Sequence, residues 1–213
     1  VKIANSASLG LTSPITLEAW IKPTSLPASG TFASILTKPE SYSLQFNGPK
    51  LEFTVIQNGT RKRLQAASGA IVAGQTYHVV GTYDGTTQRL YINGAQAKSG
   101  SLSGAASVTT NPLYVGSWGG TEEFFKGTID EVAVYGSTLS AARVSAHYQA
   151  GTSTQTVSLL APEEASSELS AYSIAAEPTF VDYCRLGAAD KPHRAYEPWQ
   201  IAAAGPTASG AST

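Results

Sequence analysis

The sequence contains almost no cysteine and no methionine. Its one cysteine, Cys184, cannot form an internal disulfide, and with only three histidines beside it the chain is not expected to build a zinc site of ordinary ligand count. Neither disulfides nor zinc are therefore expected to stabilise the fold. The absence of methionine predicts that the chain is processed, or that its numbering begins inside a longer gene product.

Charged side chains are also scarce. They make up 14% of the 213 residues, whereas soluble domains carry roughly 25%, and this favours an extracellular or virion protein over a cytosolic enzyme. Fourteen basic and fifteen acidic residues give a net charge of -1, so nothing indicates a surface for phosphate backbones, and nucleic acid is excluded as a main partner. No apolar run approaches the roughly 20 residues that span a bilayer, so membrane insertion is not expected.

From Pro14 to Tyr135 the sequence is a series of short β-branched and aromatic runs. Runs of this length, separated by turn residues, predict an antiparallel sandwich or barrel. The predicted strands are 15–22, 32–37, 41–47, 50–56, 60–66, 76–83, 88–93, 112–116 and 127–135.

Turn dipeptides separate several of these runs. Asn-Gly and Asp-Gly pairs tolerate the positive φ angles of the tight turns whose twist matches paired strands. They predict hairpins and argue against helices, and they occur at Asn47-Gly48, Asn58-Gly59, Asp84-Gly85 and Asn93-Gly94.

One helix is predicted after the last strand. Ser140 is a suitable N-cap, and Val144 and Tyr148 lie four residues apart on one helix face. Gly151 stands where a left-handed C-cap residue would end the helix. We expect this helix to cover one edge of the sheets.

The composition changes after Gly151. Residues 152–213 are rich in Ala, Ser and Thr, with too few large apolar side chains for a second core, which predicts an extended arm. A proline followed by two glutamates predicts a short helix over about 162–172. Such an arm must be held by its own sandwich or by other subunits. We expect neighbouring subunits of a large assembly to bind its anchors, which are Phe180, Val181, Tyr183, Trp199 and Ile201.

Four segments of the first 151 residues resemble one known family. In order they are ITLEAWIKP at 15–23, YHVVGTYDGTTQRLYINGAQ at 77–96, PLYVGS at 112–117 and FKGTIDEVAVYGSTLSAARVSAHYQAG at 125–151. They are similar to a laminin-G-like domain of the concanavalin-like jelly-roll superfamily. The resemblance implies two antiparallel sheets packed face to face, with carbohydrate, protein or calcium bound by rim loops or by the concave sheet. We therefore expect an all-β, two-sheet antiparallel jelly-roll domain over 1–151 with one short C-terminal helix, followed by the extended arm at 152–213.

Adjacent carboxylates at Asp130 and Glu131 occupy the last predicted strand. The superfamily includes glucanases, whose implied signature is Glu-x-Asp-x-x-Glu, but Thr128 and Ala133 stand at its outer positions. Neighbouring strand residues also face opposite ways, whereas glycosidase carboxyls converge at roughly 5–9.5 Å, so we expect no catalytic residues. Two interpretations of the pair remain. One acid binds a loop backbone while the other faces solvent, or Asp130 is a ligand of the calcium ion that the resemblance implies.

Two tryptophans differ in their surroundings. Trp118 lies in SWGGTEEFF at 117–125, where its ring could stack on a sugar and Glu122 could accept the sugar's hydroxyls. Capping one end of the core is the alternative for Trp118. Trp20 lies in mid-strand and is expected in the core. Arg61 and Arg63 are expected to share one solvated strand face.

These observations predict a non-enzymatic structural and binding protein, extracellular or on a virion surface. We expect a jelly roll displayed on a larger assembly, with a bacteriophage head or tail decoration or minor structural protein as the best match. Residues 152–213 would fasten it there, and its ligands would be cell-surface glycans. The alternative is a carbohydrate-binding module of a secreted bacterial enzyme or adhesin. No cofactor other than calcium is expected.

Overall fold

The computed structural model describes residues 1–153. This part of the chain contains eleven strands, a short 3-10 turn at Ala7–Leu9 and one α-helix. The strands are β1 (Lys2–Ile3), β2 (Ile15–Pro23), β3 (Phe32–Lys38), β4 (Tyr42–Asn47), β5 (Lys50–Gln57), β6 (Thr60–Gln65), β7 (Tyr77–Tyr83), β8 (Thr87–Ile92), β9 (Ala95–Ser101), β10 (Leu113–Val115) and β11 (Gly127–Tyr135), and the helix α1 is Ala141–Thr152.

The strands form two antiparallel sheets. The six-stranded sheet has the order β1-β10-β3-β4-β5-β6, and the five-stranded sheet has the order β11-β2-β7-β8-β9. Pairs such as β2 with β11 and β3 with β10 join segments that are far apart in sequence, as the crossed connections of a jelly roll require. The predicted all-β jelly-roll sandwich is confirmed.

Two strands were not predicted. β9 consists of Ala, Gln, Lys, Ser and Gly, which have low strand propensity, and its side chains are mostly exposed. It forms because the Asn93-Gly94 turn, in which both residues have positive φ, returns the chain alongside β8. β1 has only two residues, which pair with β10, and so short a strand leaves no periodic pattern in the sequence.

The core lies between the two sheets and follows strand alternation. In β2, Ile15, Leu17 and Ile21 are at most 1% exposed and belong to this core. Burial of each such side chain contributes about 1.5–3 kcal/mol. The sheets approach closely where Gly81 of β7 meets Phe53 of β5, since a Cβ at position 81 would lie 2.5 Å from the phenyl ring.

Helix α1 packs on the outer face of the five-stranded sheet, where Val144 clusters with Val80 and Tyr91. The predicted N-cap is confirmed, because the Ser140 hydroxyl accepts a hydrogen bond from the Arg143 N–H. The predicted C-cap is wrong, since Gly151 lies within the helix and Ser153 is the C-cap. Glycine is required at 151 because a Cβ there would overlap the Trp20 ring.

Trp20 lies under this helix, so its expected place in the core is wrong. Its ring centroid is 5.9 Å from that of Tyr148 on α1 and 5.1 Å from that of His78 on β7. Because Ala19 and Ile21 point inward, Trp20 must point outward. The helix provides a second apolar layer there, which the strand sequence alone does not reveal.

The predicted arm lies almost entirely outside the described residues, which end at Ser153. The same holds for its predicted helix at 162–172 and for its anchors Phe180, Val181, Tyr183, Trp199 and Ile201, so these stay predictions, as do the proposed domain bounds. Within residues 1–153, no helix is both long enough and apolar enough to cross a membrane.

Candidate functional site

The outer face of the six-stranded sheet carries a row of polar side chains that are buried. Inward-facing residues of β4 such as Leu44 and Phe46 alternate with outward-facing polar ones. Cross-strand register places Thr37, Ser43 and Thr54 side by side, and Gln45 beside Glu52. We call this surface the polar face, and its members, all 0–1% exposed, are Ser34, Thr37, Ser43, Gln45, Glu52 and Thr54.

Trp118 and Arg61 meet across this face. The Arg61 guanidinium carbon lies 4.5 Å from the centroid of the Trp118 ring, within cation–π range. Trp118 follows β10 and Arg61 belongs to β6, with β3, β4 and β5 between these two strands. Their contact must therefore pass over the polar face, which explains why its hydroxyls and carboxylate are shielded from solvent.

A loop at residues 117–125, which we call the covering loop, positions Trp118. The backbone N–H of Trp118 donates to the Glu122 carbonyl at 2.9 Å, and Gly119 and Gly120 both take positive φ angles that favour glycine. Gly120 also packs closely on Tyr114, since a Cβ would lie 3.4 Å from its ring. The tight turn thus turns the indole back over the sheet.

Glu123 fastens the covering loop to β3. The Ser34 N–H donates to the Glu123 carbonyl and the Ser34 hydroxyl donates to the Glu123 carboxylate, both at 2.8 Å. Burial raises the pKa of Glu123, although the Ser34 bond and the nearby Arg61 charge favour its ionised form. This carboxylate can therefore accept hydrogen bonds or, once protonated, donate one.

Glu52 is the charged centre of the polar face. Its carboxylate accepts hydrogen bonds of 2.7–3.0 Å from Gln45, Asn47, Thr54 and Gln65. Arg63 lies further out, with its Nε 3.6 Å from the carboxylate. Because four donors satisfy it, Glu52 orders the surrounding amides and hydroxyls.

Three atoms of the polar face have no hydrogen-bond partner in the described part of the chain: Thr37 Oγ1, Ser43 Oγ and Gln45 Oε1. Buried polar groups are nearly always paired, because each unpaired one costs about 1–3 kcal/mol. Three such atoms on one face therefore form a surface that a hydroxyl-rich molecule could satisfy. The polar face with its covering loop is the candidate ligand site.

Of the two predicted ligand residues, Trp118 faces the candidate site and Glu122 faces solvent. Trp118 lies at this site, in contact with Arg61. Glu122 is exposed, and it bonds to Trp118 through its backbone. The neighbouring Glu123 faces the polar face, and sequence reasoning missed it, because only the bond to Ser34 determines which glutamate turns inward. Binding of a ligand by Trp118 and Glu122 stays a prediction.

Arg61 and Arg63 share one face, as strand alternation predicts. The face is not simply solvated, however. Arg61 stacks on Trp118, and Arg63 lies near both Glu52 and the Phe32 ring. The arginines belong to the candidate site because the covering loop crosses the sheet to reach them.

Asp130 and Glu131 lie at a second position, beside α1. The register of β11 with β2 shifts between Asp130 and Ala133, and Glu131 takes a φ of 47°. The two residues therefore do not face opposite sides as strand alternation predicts, because this bulge lets both line one cleft. Asp130 accepts the Glu131 N–H at 2.9 Å.

Asp130 is the residue predicted to bind calcium. Among residues 1–153, no group of three or more acidic, histidine or cysteine side chains is arranged so that it could hold a metal ion. A calcium ion at Asp130 would therefore need backbone carbonyls or water for most of its ligands, and the site stays a prediction.

Comparison with known proteins agrees with this architecture. A family model for the concanavalin A-like lectin/glucanases superfamily matches residues 1–145. No curated protein sequence matches the chain significantly.

Several solved structures share the fold. A candidate carbohydrate-binding protein of Bacteroides ovatus superposes with a TM-score of 0.57 at 16% identity, covering 68% of this chain and 43% of that one. The CBM40 of the Ruminococcus gnavus IT-sialidase, bound to α2,3-sialyllactose, gives 0.56 at 19% identity, covering 67% and 86%. The receptor-binding domain of botulinum neurotoxin type G gives 0.51 at 14% identity, covering 70% and 42%. The chain thus spans less than half of the first and third structures, and at these identities the likeness shows the fold.

Proposed function

Because the chain belongs to the concanavalin A-like lectin/glucanase superfamily, we propose that it is a non-catalytic module that binds carbohydrate on the polar face of its six-stranded sheet. The observation that carries this proposal is the set of three buried, unpartnered polar atoms on Thr37, Ser43 and Gln45. A sugar ring offers hydroxyls that both donate and accept, so it can satisfy two hydroxyls and an amide oxygen at once. The fold neighbours with carbohydrate-binding and receptor-binding names support a binding role.

Trp118 gives the site its aromatic group. Sugar rings stack on flat aromatic side chains, and Trp118 reaches over the polar face to contact Arg61. Because the polar face is 0–1% exposed, a sugar can reach it only if the covering loop moves. Movement of the loop breaks the Arg61–Trp118 contact, a cation–π pair of about 0.5–2 kcal/mol, and the two Ser34–Glu123 hydrogen bonds, and a ligand can replace both with its own contacts.

The test is a glycan array probed with the full chain and its variants. Trp118→Ala should reduce binding of every hit by about tenfold or more, since aromatic stacking contributes roughly 1.5 kcal/mol. Trp118→Phe, the matched control, keeps a flat ring and should retain most of the affinity. Absence of any glycan hit would contradict the proposal, as would a hit that Trp118→Ala leaves unchanged.

We also propose, as a second function, that the module is displayed on a large assembly, with a phage head or tail as the leading case, and that residues 152–213 attach it. The support is compositional: the apolar side chains beyond Gly151 are too few for a core and suit anchors. Proteins of this kind act outside the cell or on a virion surface. This function does not compete with glycan binding, because the polar face belongs to residues 1–153.

Light scattering coupled to size-exclusion chromatography tests the assembly function. The full chain should self-associate, and a chain ending at Gly151 should not. The matched variant changes the anchors Phe180 and Trp199 to Ser in the full chain, which keeps the length of the arm. It should lose self-association as the shortened chain does. Monomeric behaviour of the full chain would contradict self-assembly through the arm.

A further inference from the structure

A cleft separate from the polar face opens on the other side of the sandwich, between strands β2 and β11 and the end of helix α1. Its volume is about 580 Å3, within the roughly 300–1,000 Å3 of small-molecule sites. We call it the helix-side cleft. The bulge in β11 places Asp130 and Glu131 along it, and Gly151 and Trp20, which approach each other closely, also line it.

The charges that line the helix-side cleft are mainly negative. Glu18, Asp130 and Glu131 contribute three carboxylates, whereas Lys22 and His147 are the basic side chains among the described lining residues. Glu18 is 5% exposed. Burial by itself raises the pKa of Glu18, but hydrogen bonds from His78 and Tyr135 and the charge of His147 outweigh it and keep the acid ionised at neutral pH. A cation is therefore the ligand that the cleft attracts.

The walls of the cleft are partly aromatic. Trp20 and Tyr135 line it along with the carboxylates, and aromatic rings attract organic cations through their negative faces. Among residues 1–153, no three acidic, histidine or cysteine groups are placed to hold a metal ion. Spread charges beside aromatic walls fit a cation with an extended apolar body better than a compact metal ion.

We propose that the helix-side cleft binds a small organic ammonium ion, with its charge toward Asp130 and Glu131 and its apolar body against Trp20 and Tyr135. Neither the family nor the polar face accounts for such a site. The helix-side cleft lies on the opposite sheet from the proposed carbohydrate site. A test of cation binding there is therefore independent of carbohydrate binding.

The experiment is isothermal titration calorimetry of the full chain at pH 7.5 in EDTA. The probes are phenethylamine and its neutral isostere 2-phenylethanol, which differ in the charged group. Phenethylamine should bind about tenfold or more tightly than the alcohol, because only the amine gains from the carboxylates. Added salt should weaken the binding of phenethylamine but not that of 2-phenylethanol. Equal binding of the two probes, or no binding of the amine at 10 mM, about the weakest affinity worth measuring, would overturn the proposal.

Two variants locate the binding. Asp130→Asn should weaken phenethylamine binding several-fold, whereas Glu40→Gln, which removes one exposed carboxylate remote from the cleft, should not. Trp118→Ala should also leave it unchanged, since that ring belongs to the polar face. If Glu40→Gln weakens the amine as much as Asp130→Asn does, the attraction is only the overall charge of the protein, and the assigned site is wrong.

Discussion

His78 Nε2 lies 2.6 Å from Oε1 of Glu18, with His78 0% and Glu18 5% exposed. Nε2 donates to this ionised carboxylate, whereas His78 Nδ1 has no hydrogen-bond partner within the described residues. Tyr135 on β11 and His147 on α1 also bind this carboxylate, at 2.8 and 3.0 Å. Glu18, a buried acid on β2, thus connects the two flanking strands, β7 and β11, to the helix that covers them.

The stability of the protein should fall at acid pH because of Glu18. Its folded pKa is lowered from the ordinary value of 4.5, so the unfolded chain holds the proton more tightly. The stabilisation is therefore fully present above about pH 4.5 and is lost as the pH falls through the folded pKa. Thermal melting between pH 3 and 7 measures it. Asp84, whose pKa the Arg89 hydrogen bond lowers, acts in the same direction.

The Glu18→Gln variant separates the two acids. It should be less stable than the parent at pH 7 by about 1.5–3 kcal/mol, the worth of hydrogen bonds to a buried charge. The difference between the two proteins should shrink as the pH falls from about 4.5, where the unfolded chain takes up the proton, through the lower folded pKa, where Glu18 is itself protonated. A constant difference across the whole pH range would contradict the assignment.

Gly151→Ala should destabilise the fold, although alanine is the better helix former. The added Cβ would overlap the Trp20 ring, and relief of such overlap costs about 1–3 kcal/mol. Urea denaturation followed by tryptophan fluorescence measures the change. Ala146→Ser, at an exposed position of the same helix, is the control and should change stability by less than about 0.5 kcal/mol. A more stable Gly151→Ala would show that the helix end shifts freely.

Thr37→Val should stabilise the protein and reduce carbohydrate binding. The Thr37 hydroxyl is buried without a partner, so its removal relieves about 1–3 kcal/mol of desolvation, while the ligand loses a hydrogen bond. Thr82→Val is the matched control, because Thr82 Oγ1 is equally buried and unpartnered but lies on β7 of the five-stranded sheet. Both variants should raise the melting temperature, and only Thr37→Val should weaken glycan affinity. If Thr37→Val and Thr82→Val bind glycan with equal affinity, the polar face does not take part in binding.

Millimolar calcium should raise the melting temperature if Asp130 is a calcium ligand. A ligand that binds only the folded state stabilises it by about 2.7 kcal/mol at a hundred times its Kd. Asp130→Asn should abolish the increase, whereas Glu40→Gln should keep it. Calorimetric scans with calcium and with EDTA give the answer. If calcium leaves the melting temperature of the parent chain unchanged, Asp130 is not a calcium ligand.

Local patterns predicted most of the fold correctly. Alternating runs and Asn-Gly turns indicate strands and hairpins because backbone geometry depends on neighbouring residues, and Ser140 caps its helix through a contact three residues away. The missed β9 shows the limit of this approach. Its residues have weak strand propensity, but β9 forms because it pairs with the edge of β8.

The candidate sites depend on long-range placement. Trp118 was singled out from its glycine-rich surroundings, but its contact with Arg61 exists only because the sheet order sets β10 and β6 on either side of the polar face. Glu123 was missed because adjacent glutamates look alike until Ser34 binds one of them. The convergence of Asp130 and Glu131 on one cleft depends on a bulge that strand alternation does not foresee.

The sequence by itself determined the class of fold, the positions of most strands, the start of the helix and the family, since each is encoded in short segments or in their order. Tertiary structure alone decided which face of each sheet is covered, which hydroxyls are left without partners and where the carboxylates gather. These features arise from contacts between segments distant in sequence, and they depend on how the two sheets and the helix pack.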